Sequence, residues 1–182
     1  MRRSYVIRFL VLALSCVSAL SCAEQANLLV NPGFEKADPG GWDLYDDSTY
    51  DTETYKSGSQ SGKVWAWDFG DGVFEQFVGI TPGTQYKASV YALSKPDDRI
   101  SEDTKAWIQI EWLSADNAVI GDPVKSPSVT ASDTWALLST PAVAAPSGAA
   151  KAKVKVTIQA PKKNTPGSCY FDDADFSSVP AK

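Results

Sequence analysis

Short apolar runs recur along the chain at intervals of roughly ten residues, separated by Gly, Pro, Asp and Ser. None keeps a helical period for more than two turns, so the pattern predicts an all-β sandwich. We expect strands at residues 27–30, 62–68, 73–80, 84–93, 105–113, 118–121, 134–140, 152–159 and 168–177. Residues 36–61 are acidic and rich in Asp, Ser, Thr and Tyr, which predicts long loops at one edge. Residues 24–182 are long enough for one domain, and no linker or repeat divides them.

Alternation within three of these strands places aromatic and polar side chains on the face opposite the core. In residues 105–113 the core-facing set contains the isoleucines, and Trp107, Gln109 and Glu111 project to the other side. The same parity directs Trp65 and Trp67 outward from residues 62–68. It also directs Tyr91 outward from residues 84–93.

A sugar ring packs its C–H face on an aromatic ring and needs amides and carboxylates around its hydroxyls. We therefore expect a carbohydrate-binding groove lined by Trp65, Trp67, Tyr91, Trp107, Gln109 and Glu111, with Asp68 at its rim. The alternative for each indole is a place in the core, covered by residues 36–61. The sequence does not fix the direction of the tyrosines in that segment.

Composition excludes several kinds of chemistry. The 182 residues contain no histidine, which rules out Ser-His-Asp and Cys-His catalysis and histidine-ligated zinc. No Gly-x-x-x-x-Gly-Lys-Ser/Thr or Gly-x-Gly-x-x-Gly loop is present to bind a nucleotide phosphate.

The first 23 residues have the pattern of an export signal. Arg2, Arg3 and Arg8 precede or flank an apolar run at residues 9–20 that is too short to span a bilayer. Cleavage after Ala23 would release a soluble protein, whereas residues 19–22 form a loose lipobox that would make Cys22 a lipid anchor. We expect an exported protein, extracellular or at the cell surface, and both the soluble form and an outer-membrane lipoprotein stay open.

Export also changes the charge and the cysteine count. Loss of residues 1–23 removes three of the 17 basic residues and none of the 22 acidic ones, leaving a net charge of −8. Such a surface repels nucleic acid and anionic lipid, so we expect a neutral polymer as partner and no nucleic acid. Cys169 is then without a cysteine partner and is interpreted as a small buried residue. We expect a monomer.

Five motifs occur in a fixed order: Asn-Leu-Leu-Val-Asn-Pro-Gly-Phe-Glu (27–35), Gly-Trp (41–42), Ile-Thr-Pro-Gly-Thr-Gln-Tyr (80–86), Thr-Trp (134–135) and Cys-Tyr-Phe-Asp-Asp-Ala-Asp-Phe (169–176). This set resembles carbohydrate-binding modules of families four, nine, sixteen and twenty-two, which are jelly-roll β-sandwiches of the galactose-binding-like type. The resemblance covers residues 27–177. It implies a protein that binds a polysaccharide without cleaving it, with Trp42 and Trp135 in the core.

The resemblance also implies a structural Ca²⁺. Its ligands would be Asp172 and Glu35, together with carbonyl oxygens around Ser57, a set of hard oxygen donors that suits this ion. Strand parity points Asp172 toward the margin of the sandwich, where a buried carboxylate needs a cation or several donors. The alternative is that backbone amides of a turn bind Asp172.

Two other functions stay open at this point. One is a jelly-roll glycoside hydrolase or lyase that uses paired carboxylates from Asp43, Asp46, Asp47, Glu111, Asp172 and Asp173. The other is a surface adhesion or assembly module that binds protein. A groove lined by aromatic residues favours sugar, whereas a flat aromatic patch favours a protein partner.

Overall fold

The computed structural model describes residues 25–35, 41–66, 71–129, 133–160 and 167–180. The strands are β1 (Asp43–Tyr45), β2 (Ser48–Asp51), β3 (Ser61–Trp65), β4 (Val73–Gly79), β5 (Gln85–Leu93), β6 (Lys105–Leu113), β7 (Val124–Lys125), β8 (Ala136–Ser139), β9 (Val143–Ala144), β10 (Lys151–Gln159) and β11 (Ser168–Ser178). One short 3-10 turn, Pro96–Asp98, follows β5. Among the residues described, no helix has the length and apolar character that a membrane crossing requires.

The strands form two antiparallel sheets. Sheet A has the order β1-β4-β10-β6-β7, and sheet B has the order β2-β3-β11-β5-β8, with β9 also paired to β5. The longest pairing joins β10 to β6 over nine residues on each strand. The two sheets pack as a jelly-roll β-sandwich, which confirms the predicted fold class.

The core lies between the inward faces of the two sheets. In β6 Ile108 and Ile110 are fully buried in the core, and Trp107 and Gln109 between them are also buried, so burial along this strand does not alternate. Phe34 stacks on Trp42 at a ring-centroid distance of 4.8 Å, and the Trp42 indole N–H donates to the Asn31 carbonyl at 2.9 Å. Trp42 is therefore a core residue. Trp135 is only half-buried and lies outside the core cluster, because it precedes β8 at the edge of sheet B.

The opening and closing motifs of the chain contact each other. The Leu28 amide donates to the Phe176 carbonyl at 2.8 Å, and the Phe176 amide donates to Asn27 Oδ1 at 3.0 Å. The Gln76 side chain, buried at 6% exposure, accepts from the amide of Val30 and donates to its carbonyl. Residues 27–32 thus join β11 of sheet B to β4 of sheet A.

Several elements differ from the expectation. Residues 36–61 contain β1 and β2, each an edge strand of its sheet, so this segment is not a loop throughout. Residues 27–30 are extended without forming a strand, and residues 118–121 contribute a single bridge between Val119 and Leu113. The short strands β7 and β9 were not predicted. The export signal, Trp67 and Asp68 lie outside the described residues.

Candidate functional site

The predicted groove residues lie on two opposite faces of the sandwich. Trp107, Gln109 and Glu111 are on β6 and project from the outer face of sheet A. Trp65 on β3 and Tyr91 on β5 project from the outer face of sheet B. The outer faces of two packed sheets point in opposite directions. A single groove lined by all of these residues is therefore not formed.

On sheet A, five side chains are connected by hydrogen bonds and ion pairs into a set that we call the polar row: Trp107, Gln109, Glu111, Lys153 and Glu75. The Trp107 indole N–H donates to Gln109 Oε1 at 2.5 Å, and Gln109 Nε2 donates to Glu111 Oε1 at 2.5 Å. Lys153 Nζ lies 2.8 Å from Glu111 Oε2 and 3.6 Å from Glu75 Oε2. Each polar atom in these contacts therefore has a fixed partner and direction.

Lys153 stays protonated at the centre of this row. Burial alone would lower its pKa, but the hydrogen bonds and charges of Glu111 and Glu75 outweigh burial and raise the pKa. Lys155, the next outward residue on β10, has no ion-pair partner among the described residues. Sheet A therefore presents both cations and carboxylates beside one another.

Trp107 is not an open aromatic platform. Its side chain points away from the core, as predicted, but it is only 8% exposed. Lys125 of β7 lies opposite Gln109 in register, and its Nζ sits 4.3 Å from the centroid of the Trp107 ring. The expectation of an exposed indole at Trp107 is therefore wrong. Lys125 covers the ring of Trp107, whose indole N–H is bonded within the polar row.

Two other rings on sheet A are exposed, Phe77 at 47% and Tyr45 at 48%. Phe77 lines a hollow of 700 Å³ together with Leu113, Val119 and Lys153. Tyr45 lines a second hollow of 310 Å³, whose other members include Asp71, Glu75 and Lys155. The ion pair between Glu75 and Lys153 joins the two hollows.

From the sequence, Phe77 was not considered for the groove, and the direction of Tyr45 was left open. Phe77 could have been found, because β4 alternates between buried Phe74, Gln76 and Val78 and the outward residues Glu75 and Phe77. Tyr45 lies in the acidic segment that was interpreted as loop. Its direction follows from pairing with Val73 of β4, which no local pattern reveals.

On sheet B, Trp65 and Tyr91 occupy different surroundings. Trp65 is half-buried and lines a hollow of 480 Å³ with Lys63 and Asp98. The Tyr91 ring lies beneath Lys56, whose Nζ is 3.9 Å from the ring centroid. Only Trp65 of these two borders an open space.

The predicted metal ligands converge on one turn at residues 56–59, an arrangement that we call the carboxylate clamp. Asp172 is fully buried, and its Oδ2 accepts from the amides of Lys56 (2.7 Å) and Ser57 (3.0 Å). Its Oδ1 accepts from the Asp173 amide at 2.7 Å. Glu35 Oε2 accepts from the amide and the hydroxyl of Ser59, both at 2.9 Å.

Close packing fixes the turn against Glu35. Gly58 has a φ of +65°, and a Cβ at this position would lie 1.8 Å from Glu35 Oε1, so only glycine is accommodated. Ser57 faces Asp172 with its amide N–H, where the resemblance implied a carbonyl. The structure therefore has the alternative arrangement, in which backbone amides of a turn bind Asp172.

Three observations bear on whether Ca²⁺ fits the clamp. A Cβ added to Gly33 would lie 3.6 Å from Glu35 Oε1 and 3.9 Å from Asp172 Oδ1, so both carboxylates border the same space beside this glycine. Gln60 Oε1, next in the chain after Ser59, is buried with no hydrogen-bond donor in the described structure. Within the described ranges, however, no group of three or more His, Cys, Asp or Glu residues is placed to bind a metal. The Ca²⁺ site stays a prediction.

The chain matches no protein-family model and no curated protein sequence. Solved structures do match it. The enzymatically active domain of tailspike protein 4 from bacteriophage CBA120 is 15% identical, with a TM-score of 0.65 over 84% of this chain and 21% of the other. The family 22 xylan-binding domain CBM22-1 of Paenibacillus barcinonensis Xyn10C is 15% identical, with a TM-score of 0.61 over 87% of this chain and 97% of that domain.

A third match is a family 61 module in complex with β-1,4-galactotriose, 16% identical, with a TM-score of 0.58 over 85% of this chain and 99% of the module. Identities this low establish the fold alone. The chain has the jelly-roll β-sandwich fold of galactose-binding-like carbohydrate-binding modules, as its motifs predicted.

Proposed function

We propose that this protein binds a neutral polysaccharide, without cleaving it, on the outer face of sheet A. The observation that carries the proposal is the polar row, flanked by the exposed rings of Phe77 and Tyr45. Four residues of strand and one strand spacing separate the two rings by about 14 Å. Several linked sugar rings can lie across that distance, with an aromatic contact at each end.

Each part of this face has a separate role in the proposal. Phe77 and Tyr45 pack against the C–H faces of sugar rings. Glu75, Glu111 and Lys153 exchange hydrogen bonds with hydroxyl groups, and Gln109 and Trp107 hold Glu111 in place through the bonds described above. The neighbouring structures described as xylan-binding or bound to β-1,4-galactotriose support xylan and β-1,4-galactan as the first ligands to try.

The polar row also argues against hydrolysis. Glycosidases place two carboxyl groups across the scissile bond, and one of them must be protonated to act as the acid. Glu75 and Glu111 both form ion pairs with Lys153, which lies on the strand between theirs, so neither is a free carboxyl group. Asp172 is held in the carboxylate clamp, away from sheet A. A non-catalytic role therefore suits the carboxylates on this face better than the hydrolase alternative.

The expected effect of each ring follows from its exposed area. An aromatic side chain has roughly 200 Å² of surface, so a ring that is 47% exposed offers about 90 Å². A sugar covering half to all of it contributes about 1–2 kcal/mol, or roughly five- to thirtyfold in affinity. Two such contacts, set against the ordering of a flexible polymer, predict dissociation constants of roughly micromolar to millimolar.

The test is calorimetric and gel-retention binding of the exported chain to xylan, β-1,4-galactan, glucan and mannan. Phe77→Ala and Tyr45→Ala should each weaken binding about tenfold while circular dichroism stays unchanged. Tyr55→Ala is the matched control, since Tyr55 is 45% exposed and borders neither hollow on sheet A. Equal binding by all three variants would remove sheet A as the site. Failure of the wild type to bind any of the polymers would favour the protein-adhesion alternative.

A further inference from the structure

The hollow on sheet B is built from side chains that point away from both the core and sheet A. It is lined by Thr49, Asp51, Lys63, Trp65, Asp98 and Ser168, with Ala66 and Gly167 at one end. Trp65 lies opposite Ser168 in the β3–β11 register, and Lys63 lies opposite Thr49 in the β2–β3 register. Strand alternation therefore gathers an indole, an ammonium group and hydroxyls on one surface.

The end of β3 holds Trp65 in place. The Trp65 amide donates to the Asp47 carbonyl at 3.0 Å, and the Ala66 amide donates to the Gly167 carbonyl at 3.2 Å. The main chain on both sides of the indole is thus fixed by neighbouring segments. This part of the surface is preformed, which lowers the cost of ordering a ligand.

A wall beside the sheet turns the surface into a hollow. The 3-10 turn Pro96–Asp98 brings Asp98 Oδ2 to 3.7 Å from Lys63 Nζ. Gly167 has a φ of +132°, and a Cβ there would lie 2.3 Å from the Arg99 carbonyl oxygen. Only glycine lets the segment after the turn pass this close to β11.

The charges of the hollow select the kind of ligand. Asp51 and Asp98 outnumber Lys63, and Lys63 is already engaged with Asp98 and lies 5.2 Å from the centroid of the Tyr170 ring. An anionic ligand would meet an excess of carboxylate. A sugar ring has an apolar face and several hydroxyl groups. In this hollow its apolar face can pack against the indole, and its hydroxyl groups can bond to the carboxylates, the ammonium group and the protein hydroxyls.

We propose that this hollow is a second carbohydrate site, which binds one neutral sugar residue at a chain end or branch, with Trp65 as its platform. Its volume of 480 Å³ is in the range of small-ligand pockets, and the wall formed by the 3-10 turn limits one side. The inference rests on the proposed function only for the class of ligand. Because the two sites lie on opposite sheets, one protein could hold two chains at once.

The test is a titration of the ¹⁵N-labelled exported chain, followed by two-dimensional NMR. The probes are D-xylose, D-galactose, D-glucose and D-mannose, followed by xylohexaose and β-1,4-galactotriose. At least one monosaccharide should shift the Trp65 indole N–H and the amides of Lys63 and Ser168 in a saturable way. Trp65→Ala should weaken this response at least tenfold, Trp65→Phe should weaken it less, and Tyr55→Ala should leave it unchanged.

The same spectra separate the two proposals. Shifts at Phe77 and Tyr45 with oligosaccharides, but none at Trp65 with any probe, would overturn the second site and leave the proposed function standing. Shifts at Trp65 alone would support the second site and overturn sheet A. If no probe shifts a signal on either sheet, both the second site and the site on sheet A are wrong. The wild-type titration decides each case even if Trp65→Ala does not fold.

Discussion

Replacing Asp172 with alanine should lower the free energy of unfolding by about 3–5 kcal/mol, because three backbone amides would lose a charged acceptor. Those amides belong to Lys56, Ser57 and Asp173, at distances of 2.7–3.0 Å. Each such bond contributes about 1.5–3 kcal/mol, and the cost of burying the carboxylate offsets part of the sum. Asp172→Asn keeps the shape and one oxygen and should lose about half as much.

The assay is urea and thermal unfolding followed by circular dichroism. For a domain of this size the alanine variant should melt roughly 6–20 °C below wild type. Asp173→Asn is the matched control: it breaks an exposed ion pair with Lys56 and should cost no more than about 1 kcal/mol. Asparagine also tolerates the positive φ of 48° at this position. If Asp172→Ala lowers the free energy of unfolding by no more than this control does, the carboxylate clamp does not stabilise the fold.

The same variants test the proposed Ca²⁺. Saturating Ca²⁺ at about 100 times its dissociation constant should add roughly 2.7 kcal/mol to the wild type and nothing to Asp172→Ala. Burial raises the pKa of Asp172, although the three amides act to lower it. In chelator, the advantage of wild type over Asp172→Asn should therefore shrink as the pH rises through this raised pKa. Added Ca²⁺ should abolish that decline. If neither chelator nor added Ca²⁺ changes the stability of the wild type, the backbone amides alone bind the carboxylates of the clamp.

Two further predictions concern the core and export. Trp42→Ala should cost about 3–5 kcal/mol in chemical unfolding, whereas Trp135→Ala, half-buried beside an edge strand, should cost less than about 2 kcal/mol. Equal losses would mean that Trp135 is packed as a core residue. Mass spectrometry of the native protein should find a first residue of Cys22 or Glu24, with a diacylglycerol increment on Cys22 in the lipoprotein case. A mature chain that retains residues 9–20 would contradict export.

Within a regular strand the sequence is a good guide to side-chain direction, but in β11 a register shift between Asp172 and Asp175 breaks the alternation. A period of two assigns every residue to one of two faces, so the outward set Trp107, Gln109 and Glu111 could be identified from β6 alone. Membership of a sheet is different, because it depends on pairing between strands far apart in the chain. β3 and β6 offered the same kind of pattern and belong to opposite sheets. For that reason six residues were expected in one groove, whereas the five of them that the structure describes are divided between two faces.

Accessibility was the second quantity that the sequence could not supply. The covering of Trp107 comes from Lys125 on a strand of two residues, too short to show any periodicity. Tyr45 becomes part of sheet A only through the pairing of three-residue β1 with β4. Asp172 pairs with Tyr91 just before a register shift in β11, and whether the turn at residues 56–59 meets it with amides or carbonyls depends on the local backbone conformation.

The arrangement of charges on sheet A is compatible with the proposed neutral polymer, although the protein as a whole is acidic. Lys153 lies between Glu75 and Glu111, one on each neighbouring strand, so the polar row carries both signs in close balance. A ligand that is itself uncharged gives and accepts hydrogen bonds along this row without desolvating an unpaired charge. The carboxylate clamp lies at β11 in sheet B, and the opening segment contacts β11 and the buried side chain of Gln76 on β4. If the proposed function is correct, changes to the outward side chains of sheet A would therefore alter ligand choice while leaving these contacts intact.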